Sequence, residues 1–173
     1  MSKLQLTTYP APILRKQAEP VKNVDGELIQ TAEEMFTLMY ENRGIGLAAP
    51  QAGISRRLLV IDLREDNQPV YIMINPQITK REGLVETEEG CLSLPEIFGD
   101  VKRAERVQVS FIDRDGESRI LEAEGMLARA VQHEIDHLNG VLFIDRIGET
   151  RRQLLTPQLR ALAEAFEGKN GNT

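Results

Sequence analysis

The sequence predicts an α+β fold in which short, mostly antiparallel strands pack around a central helix, with one helix N-terminal to the strands and another at the C-terminus. Three observations support this prediction. Three segments place apolar residues at helical spacing, several short apolar runs are rich in β-branched residues, and an Asp-Gly turn joins two of those runs.

The composition is that of an ordinary folded chain. The 173 residues amount to about one domain, so we expect residues 1–173 to form a single catalytic or binding unit. A net charge of −6 argues against duplex DNA or an anionic membrane as the main partner. The N-terminal residues lack the apolar core of a signal peptide, and no run approaches the ~20 apolar residues of a membrane span, so we expect a cytoplasmic protein.

The first helix is predicted over residues 26–42. Asp25 is a candidate N-cap, the apolar residues that follow recur on one helical face, and Gly44 is placed as a C-terminal glycine. Residues 1–24 contain three prolines, which indicates an irregular segment wrapped on the domain.

Strands are predicted where the helical spacing of apolar residues gives way to short apolar runs. Residues 57–63 and 70–74 are short apolar runs, and residues 84–88 form a weaker third candidate. Residues 106–112 and 118–123 flank the turn Asp115-Gly116, which predicts a hairpin.

Helical spacing returns in the last third of the chain. Residues 125–139 predict the central helix, which Gly140 ends, and residues 151–166 predict a C-terminal helix. We expect residues 167–173 to form a disordered tail.

The central helix carries the pattern His-Glu-x-x-His, from His133 to His137. Four residues make just over one helical turn, so both imidazoles leave one face and can hold one cation. Glu134 lies beside the first histidine, where it can reach a water on the metal. The sequence therefore predicts a metal-binding central helix.

A catalytic site of this kind needs a third protein ligand and an open fourth position. Cys91 is the one cysteine, which excludes an intramolecular disulfide, and its sulfur is a strong ligand for a borderline divalent metal. Glu149, Glu164 and Glu167 follow the histidines and are alternative ligands. A zincin-like protease and a non-catalytic structural metal module therefore both stay open.

The segment GIGLAAPQ, residues 44–51, is the third unusual feature. A Gly-x-Gly loop that binds a dinucleotide follows a strand and opens a helix, whereas this one closes a helix and runs into Pro50. We interpret it as bare backbone that can approach a substrate, with Gln51 supplying an amide.

Together GIGLAAPQ, EGCLS and QHEIDHLNG resemble the three signature motifs of peptide deformylase, in matching order and spacing, and the resemblance covers most of residues 1–165. The short spacing of the first two motifs and the helical C-terminus are similar to the bacterial type 1 form. The resemblance implies a hydrolase that removes the N-formyl group from the formyl-methionine of newly synthesised proteins and releases formate.

The resemblance also implies roles for residues of the three motifs. It makes Cys91, His133 and His137 the ligands of one divalent metal, with water in the fourth position as the nucleophile, and Glu134 the general acid and base. Fe²⁺ is the family's usual metal in vivo, and Zn²⁺, Ni²⁺ or Co²⁺ also suits these ligands. The donors to the formyl oxygen would be the Gln51 side chain and the Leu92 N–H, and the edge on which the peptide lies would comprise Ile45, Gly46 and Gly90.

A methionine side chain needs an apolar pocket, and histidine ligands need partners for their second nitrogen. Asp136 is a candidate partner, and the resemblance adds Glu89 and Arg103 as braces of the site. Phe98 stands where some members of the family have Arg, which leaves preference along the peptide open. By position, the pocket could be lined by Ile45, Thr87, Met126, Ala130 and the stem of Arg129.

The C-terminal helix carries Arg151, Arg152 and Arg160. One interpretation is a capping helix with a solvated charged face. The other is a docking element for the ribosome, from which a formylated nascent peptide emerges.

Overall fold

The structure is a computed structural model that describes residues 1–171. It confirms the α+β class, with antiparallel strands and helices in the predicted order. The helices are α1 (Gly26–Glu41), α2 (Gly125–Leu138), α3 (Glu149–Leu154) and α4 (Thr156–Asn170). The strands are β1 (Gly46–Ala48), β2 (Leu58–Ile61), β3 (Tyr71–Glu82), β4 (Val85–Cys91), β5 (Leu94–Arg103), β6 (Arg106–Ile112) and β7 (Ser118–Glu124).

The five-stranded antiparallel sheet has the order β1-β2-β3-β6-β7, and β4 and β5 form a separate antiparallel pair. Strand β2 is buried on both faces. Because side chains alternate along a strand, Leu58 and Val60 pack on the α1 side, whereas Leu59 and Ile61 pack on the α2 side. The sheet therefore lies between α1 and the metal-binding helix predicted from the sequence.

The start of α1 is the one predicted, and its end differs in one detail. The Asp25 side chain accepts a hydrogen bond from the Leu28 N–H at 2.9 Å, as an N-cap does. The left-handed residue after the helix is Arg43, with φ 59°, and not Gly44, so the prediction of Gly44 as the terminating glycine is wrong. The Gly44 N–H still donates to the Met39 carbonyl at 2.9 Å.

The predicted strands are present with altered bounds. The predicted strand at 57–63 shortens to β2, and the one at 70–74 lengthens to the twelve residues of β3. The predicted hairpin is β6 and β7, with Gly116 in the left-handed region at φ 80°. The sequence patterns do not predict β1 and β5. Pro95 and Gly99 argue against a strand, although Ile97 and Val101 of β5 are buried in the alternation typical of one.

The C-terminal part differs from the single helix predicted at 151–166. Leu155 is buried and separates α3 from α4, and Pro157 lies in the first turn of α4. Helix α4 continues to Asn170, so residues 167–170 are helical and not part of a disordered tail. Residues 172–173 of the predicted tail lie outside the described residues. Within residues 1–171, no helix is long and apolar enough to cross a membrane.

The N-terminal segment holds together the loops that carry the sequence motifs. The Thr7 N–H donates to the Gln51 carbonyl at 2.7 Å, and the Tyr9 N–H donates to the Ser93 carbonyl at 2.8 Å. Further along, the Ala18 N–H donates to the Leu138 carbonyl at the end of α2. The irregular segment predicted at 1–24 thus bridges three elements that surround one site.

Candidate metal centre

Three predicted ligands meet at one point. Cys91 ends β4, and His133 and His137 project from one face of α2, as the four-residue spacing requires. The ligand atoms of the three residues lie within 4.8 Å of one another, and Cys91 Sγ is 3.3 Å from His137 Nε2. In the part of the chain that the structure describes, the metal-competent cluster contains none of the alternative carboxylates, Glu149, Glu164 and Glu167.

His133 is oriented by Glu89. Its Nδ1 lies 2.9 Å from Glu89 Oε1, so the other ring nitrogen is free to face the cysteine. Burial lowers the pKa of His133, but contacts with the Cys91 sulfur and the Glu89 carboxylate outweigh burial and raise that pKa well above its usual value. The pocket around His133 thus favours positive charge next to the sulfur.

His137 lies in a different electrostatic setting. Burial, followed by the positive charges of His133 and Arg103, lowers the pKa of His137 well below its usual value. A neutral imidazole keeps a lone pair for a metal. Its Nδ1 is buried and has no hydrogen-bond partner among the described residues.

Glu134 is a buried carboxyl group against the backbone of Gly46. Its side chain is so close that a Cβ atom placed on Gly46 would lie 2.7 Å from Glu134 Oε1. Burial raises the pKa of Glu134 to about 7. Oε2 is buried and has no hydrogen-bond partner among residues 1–171. The site therefore holds a carboxyl group that can change its protonation state near neutral pH in the cleft that Cys91 and His133 also line.

Gln51 is buried next to Cys91, and its amide is fixed at both ends. Oε1 accepts from the Ala48 N–H at 2.9 Å, which directs Nε2 toward Ser93 Oγ at 3.2 Å and Cys91 Sγ at 3.5 Å. Leu92 follows the cysteine and packs against Gly44. The packing is close, since a Cβ atom placed on Gly44 would lie 2.7 Å from Leu92 Cδ1. The GIGLAAPQ and EGCLS motifs are therefore in direct contact.

A buried ion network connects α2 to β4 and β5. Arg103 donates to both oxygens of Glu89 at 2.9 Å and to Asp136 Oδ2 at 2.6 Å. Arg129 donates to Glu89 as well, and Arg146 binds Asp136 through two hydrogen bonds. Burial raises the pKa of Glu89, but the hydrogen bonds from Arg103 and His133 outweigh it and lower that pKa to about 2. Glu89 is therefore ionised and binds both arginines and His133.

An open cleft of about 920 Å³ leads to Glu134 and His133. Met126 is half exposed at its edge, whereas Ala130 is buried in its wall. Arg129 reaches the cleft but also donates to the Val85 and Val101 carbonyls, so it joins α2 to both strands of the pair. Residues predicted to bind substrate that line the cleft are Ile45, Gly46, Thr87, Gly90, Met126, Arg129 and Ala130.

The residues present suit a divalent metal. One thiol sulfur and two imidazole nitrogens are donors that Fe²⁺, Co²⁺, Ni²⁺ and Zn²⁺ accept, and a three-residue set leaves a coordination position open. Glu134 Oε2 is buried in the same cleft without a hydrogen-bond partner among residues 1–171, which fits a water or substrate at that position.

Sequence reasoning missed three residues of the surroundings. Ser93 accepts the Gln51 amide, and Gln132 binds both the N–H and the carbonyl of Ala104, which attaches α2 to the turn after β5. Arg146 holds Asp136. Ser93 and Gln132 each had a signal, since they lie within the EGCLS and QHEIDHLNG motifs, whereas Arg146 had none.

Comparison with known proteins agrees with this geometry. The family model described as polypeptide deformylase matches residues 3–153. Peptide deformylase of Acidobacterium capsulatum is 49% identical over 164 residues, covering 94% of this chain and 96% of the relative. The protein from Thermodesulfovibrio yellowstonii is 46% identical over 162 residues, covering 92% and 98%.

Solved structures show the same likeness. Peptide deformylase of Thermus thermophilus matches with a TM-score of 0.87 at 45% identity, covering 95% of this chain and 97% of that one. A plant peptide deformylase matches with a TM-score of 0.94 at 36% identity, covering 99% and 95%. Members of this family are metal-dependent hydrolases that remove N-formyl groups from nascent peptides. The chain belongs to the polypeptide deformylase family.

Proposed function

We propose that this chain removes the formyl group from N-terminal formyl-methionine with Cys91, His133 and His137 as ligands of one divalent metal and Glu134 as the general acid and base. The observation that carries the proposal is the Glu134 carboxyl group, which is buried, has an oxygen without a partner among residues 1–171, and lines the same cleft as Cys91 and His133. A closed structural metal site would have no use for a carboxyl group with that property.

A metal bound by Cys91, His133 and His137 would supply Lewis-acid chemistry, since a divalent cation lowers the pKa of a coordinated water from ~15.7 towards ~7 and polarises a carbonyl oxygen. We propose Fe²⁺ as the metal in the cell, with Zn²⁺, Ni²⁺ or Co²⁺ able to occupy the same ligands. A mixed sulfur and nitrogen donor set binds each of these ions, and the resemblance of the motifs favours iron.

The proton transfers are assigned to Glu134. A pKa of about 7 lets its carboxylate take a proton from the attacking water and return it to the leaving amine, which would be a poor leaving group without that proton. The contact of Glu134 with the Gly46 backbone limits its movement and keeps it near the cleft.

Two donors are proposed to stabilise the oxyanion that forms when the formyl carbon becomes tetrahedral. The Gln51 amide is one, because its Oε1 is bound to Ala48 and its Nε2 faces the ligand cysteine. The Leu92 backbone N–H is the other, at the residue after that cysteine. Removing one such donor costs ~10²–10³ in rate.

The peptide is proposed to lie along the backbone edge of Ile45, Gly46 and Gly90, with its methionine side chain toward Met126 and Ala130. These residues share the cleft with Glu134. The solved Synechococcus elongatus peptide deformylase is in complex with actinonin, and we propose that actinonin binds in this cleft too. Competition between actinonin and formyl-Met-Ala-Ser in a rate assay tests that placement.

The ligand assignment is tested by metal analysis after anaerobic purification, with formate release from formyl-Met-Ala-Ser. We expect about one metal ion per chain and iron-dependent activity that a chelator abolishes. Cys91→Ser should lose metal, because an alcohol is a poorer ligand than a thiolate for these ions. If Cys91→Ser keeps both metal and activity, the cysteine is not a ligand.

Docking on the ribosome through the C-terminal arginines is a further proposal, and it fits an enzyme of the bacterial cytoplasm. Arg151 donates to the Phe98 carbonyl and Arg152 to Asp145, so both are partly engaged within the chain. Arg160 is exposed on α4. Co-sedimentation with ribosomes should weaken in Arg160→Glu and when residues 151–173 are deleted, and unchanged binding of the deletion would exclude the C-terminal helices as the docking element.

A further inference from the structure

A chain of charged contacts runs from the surface to the metal centre. Arg146, which follows the 3₁₀ turn Phe143–Asp145, donates from Nε to Asp136 Oδ2 at 2.6 Å and from a terminal nitrogen to Oδ1 at 2.8 Å. The exposed fraction of the side chain falls from 45% at Arg146 to 10% at Asp136 and 3% at Arg103. The interior end of this chain is the pair formed by Arg103 and Glu89, which holds His133.

The two oxygens of Asp136 are held differently. Oδ2 accepts from both Arg103 and Arg146, whereas Oδ1 accepts from Arg146. Removing Arg146 would leave a buried carboxylate oxygen without this hydrogen bond and would free the carboxylate to turn away from Arg103. An unsatisfied buried acceptor is costly, and a charged one more so, so the neighbouring groups would rearrange.

Asp136 also lies next to His137, a proposed ligand that contacts Cys91 through Nε2 but lacks a partner that orients its other ring nitrogen among residues 1–171. His133 is oriented through Nδ1 by Glu89, whereas Nδ1 of His137 has no partner among the described residues. The orientation of the His137 ring therefore depends on packing and on where the last turn of α2 lies. The Asp136 side chain attaches that turn to Arg103 of β5 and to Arg146.

We propose that Arg146 is a positioning residue for the metal centre, which fixes the last turn of α2 through Asp136 so that His133 and His137 converge on Cys91. This inference rests on the metal site of the proposed function. Arg146 makes no contact with the substrate cleft, so its effect should be on metal retention and turnover and not on peptide binding.

The test compares Arg146→Ala with Arg106→Ala, a matched control. Arg106 has a side chain 44% exposed, pairs with Glu82 at 2.7 Å and with Glu105 at 3.9 Å, and is not a member of the cluster of three ligands. The readouts are the rate of metal loss to a chelator, the absorption spectrum of the Co²⁺-substituted protein, kcat and KM. Partners that orient metal ligands typically change affinity or activity ~10- to 100-fold.

We expect Arg146→Ala to lose metal about 10-fold faster than wild type, with a changed Co²⁺ spectrum, lower kcat and an unchanged KM. Arg106→Ala should match wild type. Arg146→Lys should fall between, because an ammonium keeps the charge but cannot bind both carboxylate oxygens in the fork geometry of arginine.

The proposal would be overturned if Arg146→Ala lost metal at the same rate as Arg106→Ala and had the same Co²⁺ spectrum. A lower unfolding temperature of Arg146→Ala would not rescue the proposal, because it would show a purely structural effect. If Arg146→Ala does not fold, Arg146→Lys decides in the same way. Wild-type protein that binds no metal would contradict the proposed function itself, which is a distinct outcome.

Discussion

The Glu89 carboxylate receives hydrogen bonds from His133 Nδ1 and from Arg103, each at 2.9 Å, so one buried acid both orients a proposed metal ligand and neutralises an arginine. The same acid also receives a hydrogen bond from Arg129 of α2. Glu89 therefore joins the cysteine strand β4 to the histidine helix, and its loss should affect the metal before it affects the peptide.

Glu89→Gln should weaken metal binding ~10- to 100-fold, because the neutral amide holds the His133 N–H less strongly and removes one of the two charge partners of Arg103. The measurement is competition for metal with a chelator of known affinity. Glu86→Gln is the matched control, since Glu86 is exposed on the same strand and only pairs with Lys102 at 3.8 Å. Equal metal affinities of the two variants would show that Glu89 does not support metal binding.

Lowering the pH should reduce the contribution of Glu89 to the free energy of unfolding. Its pKa is about 2 in the folded protein against a usual 4.5, so the contribution is complete above about pH 4.5 and is lost as pH falls towards 2. The difference in unfolding free energy between wild type and Glu89→Gln should shrink by about 2 kcal/mol from pH 6 to pH 3. Urea unfolding of the metal-free proteins measures it, and a difference that is constant with pH would contradict the assigned ionisation.

Gly46→Ala should lower kcat and leave the metal in place. The new methyl group would lie 2.7 Å from Glu134 Oε1 and must push the carboxyl group away from its position. General acid and base catalysis contributes ~10²–10⁴, so a displaced Glu134 should cost at least ~10-fold in kcat. Gly26→Ala is the control, because a Cβ there meets nothing within 4 Å. Full activity in Gly46→Ala would show that Glu134 tolerates displacement.

Phe98 should favour peptides with an apolar side chain after methionine. Its ring is 49% exposed in the cleft and packs on Gly90, where a Cβ would lie 2.8 Å from the ring. A substrate side chain that buries half of such a ring should gain ~1 kcal/mol of binding free energy, which corresponds to about a fivefold lower KM. Phe98→Ala should lose this advantage for a formyl-methionyl peptide with a downstream phenylalanine, compared with its serine counterpart. An unchanged ratio of the two KM values would exclude a contact.

Much of the fold and of the ligand set follows from local sequence patterns. The apolar period defines α1 and α2, and the His-Glu-x-x-His spacing needs only the helix to bring two ligands together. Strand β5 escapes prediction because its backbone departs from the regular pattern. The pairing of β5 with β4 is irregular between Gly90 and Cys91, where β5 contains Pro95 and Glu96 with a positive φ of 63°. This irregularity places Phe98 in the cleft.

Contacts between distant segments lie beyond sequence reasoning. Arg146 lies ten residues after Asp136 in an irregular turn, and nothing in its neighbours indicates that its side chain returns to α2. Arg129 is expected at the cleft and lies there, but only the structure shows that it also binds Glu89 and two strand carbonyls. Both depend on tertiary packing, which a one-dimensional pattern does not contain.

The most direct test of the account is formate release by the anaerobically iron-loaded protein and by its Glu134→Gln variant, with the metal content of each sample measured. We expect about one metal ion per chain in both proteins, formate from formyl-Met-Ala-Ser with wild type, and a rate at least ~10²-fold lower in the variant. A metal-loaded Glu134→Gln that releases formate at the wild-type rate would show that Glu134 does not move the proton.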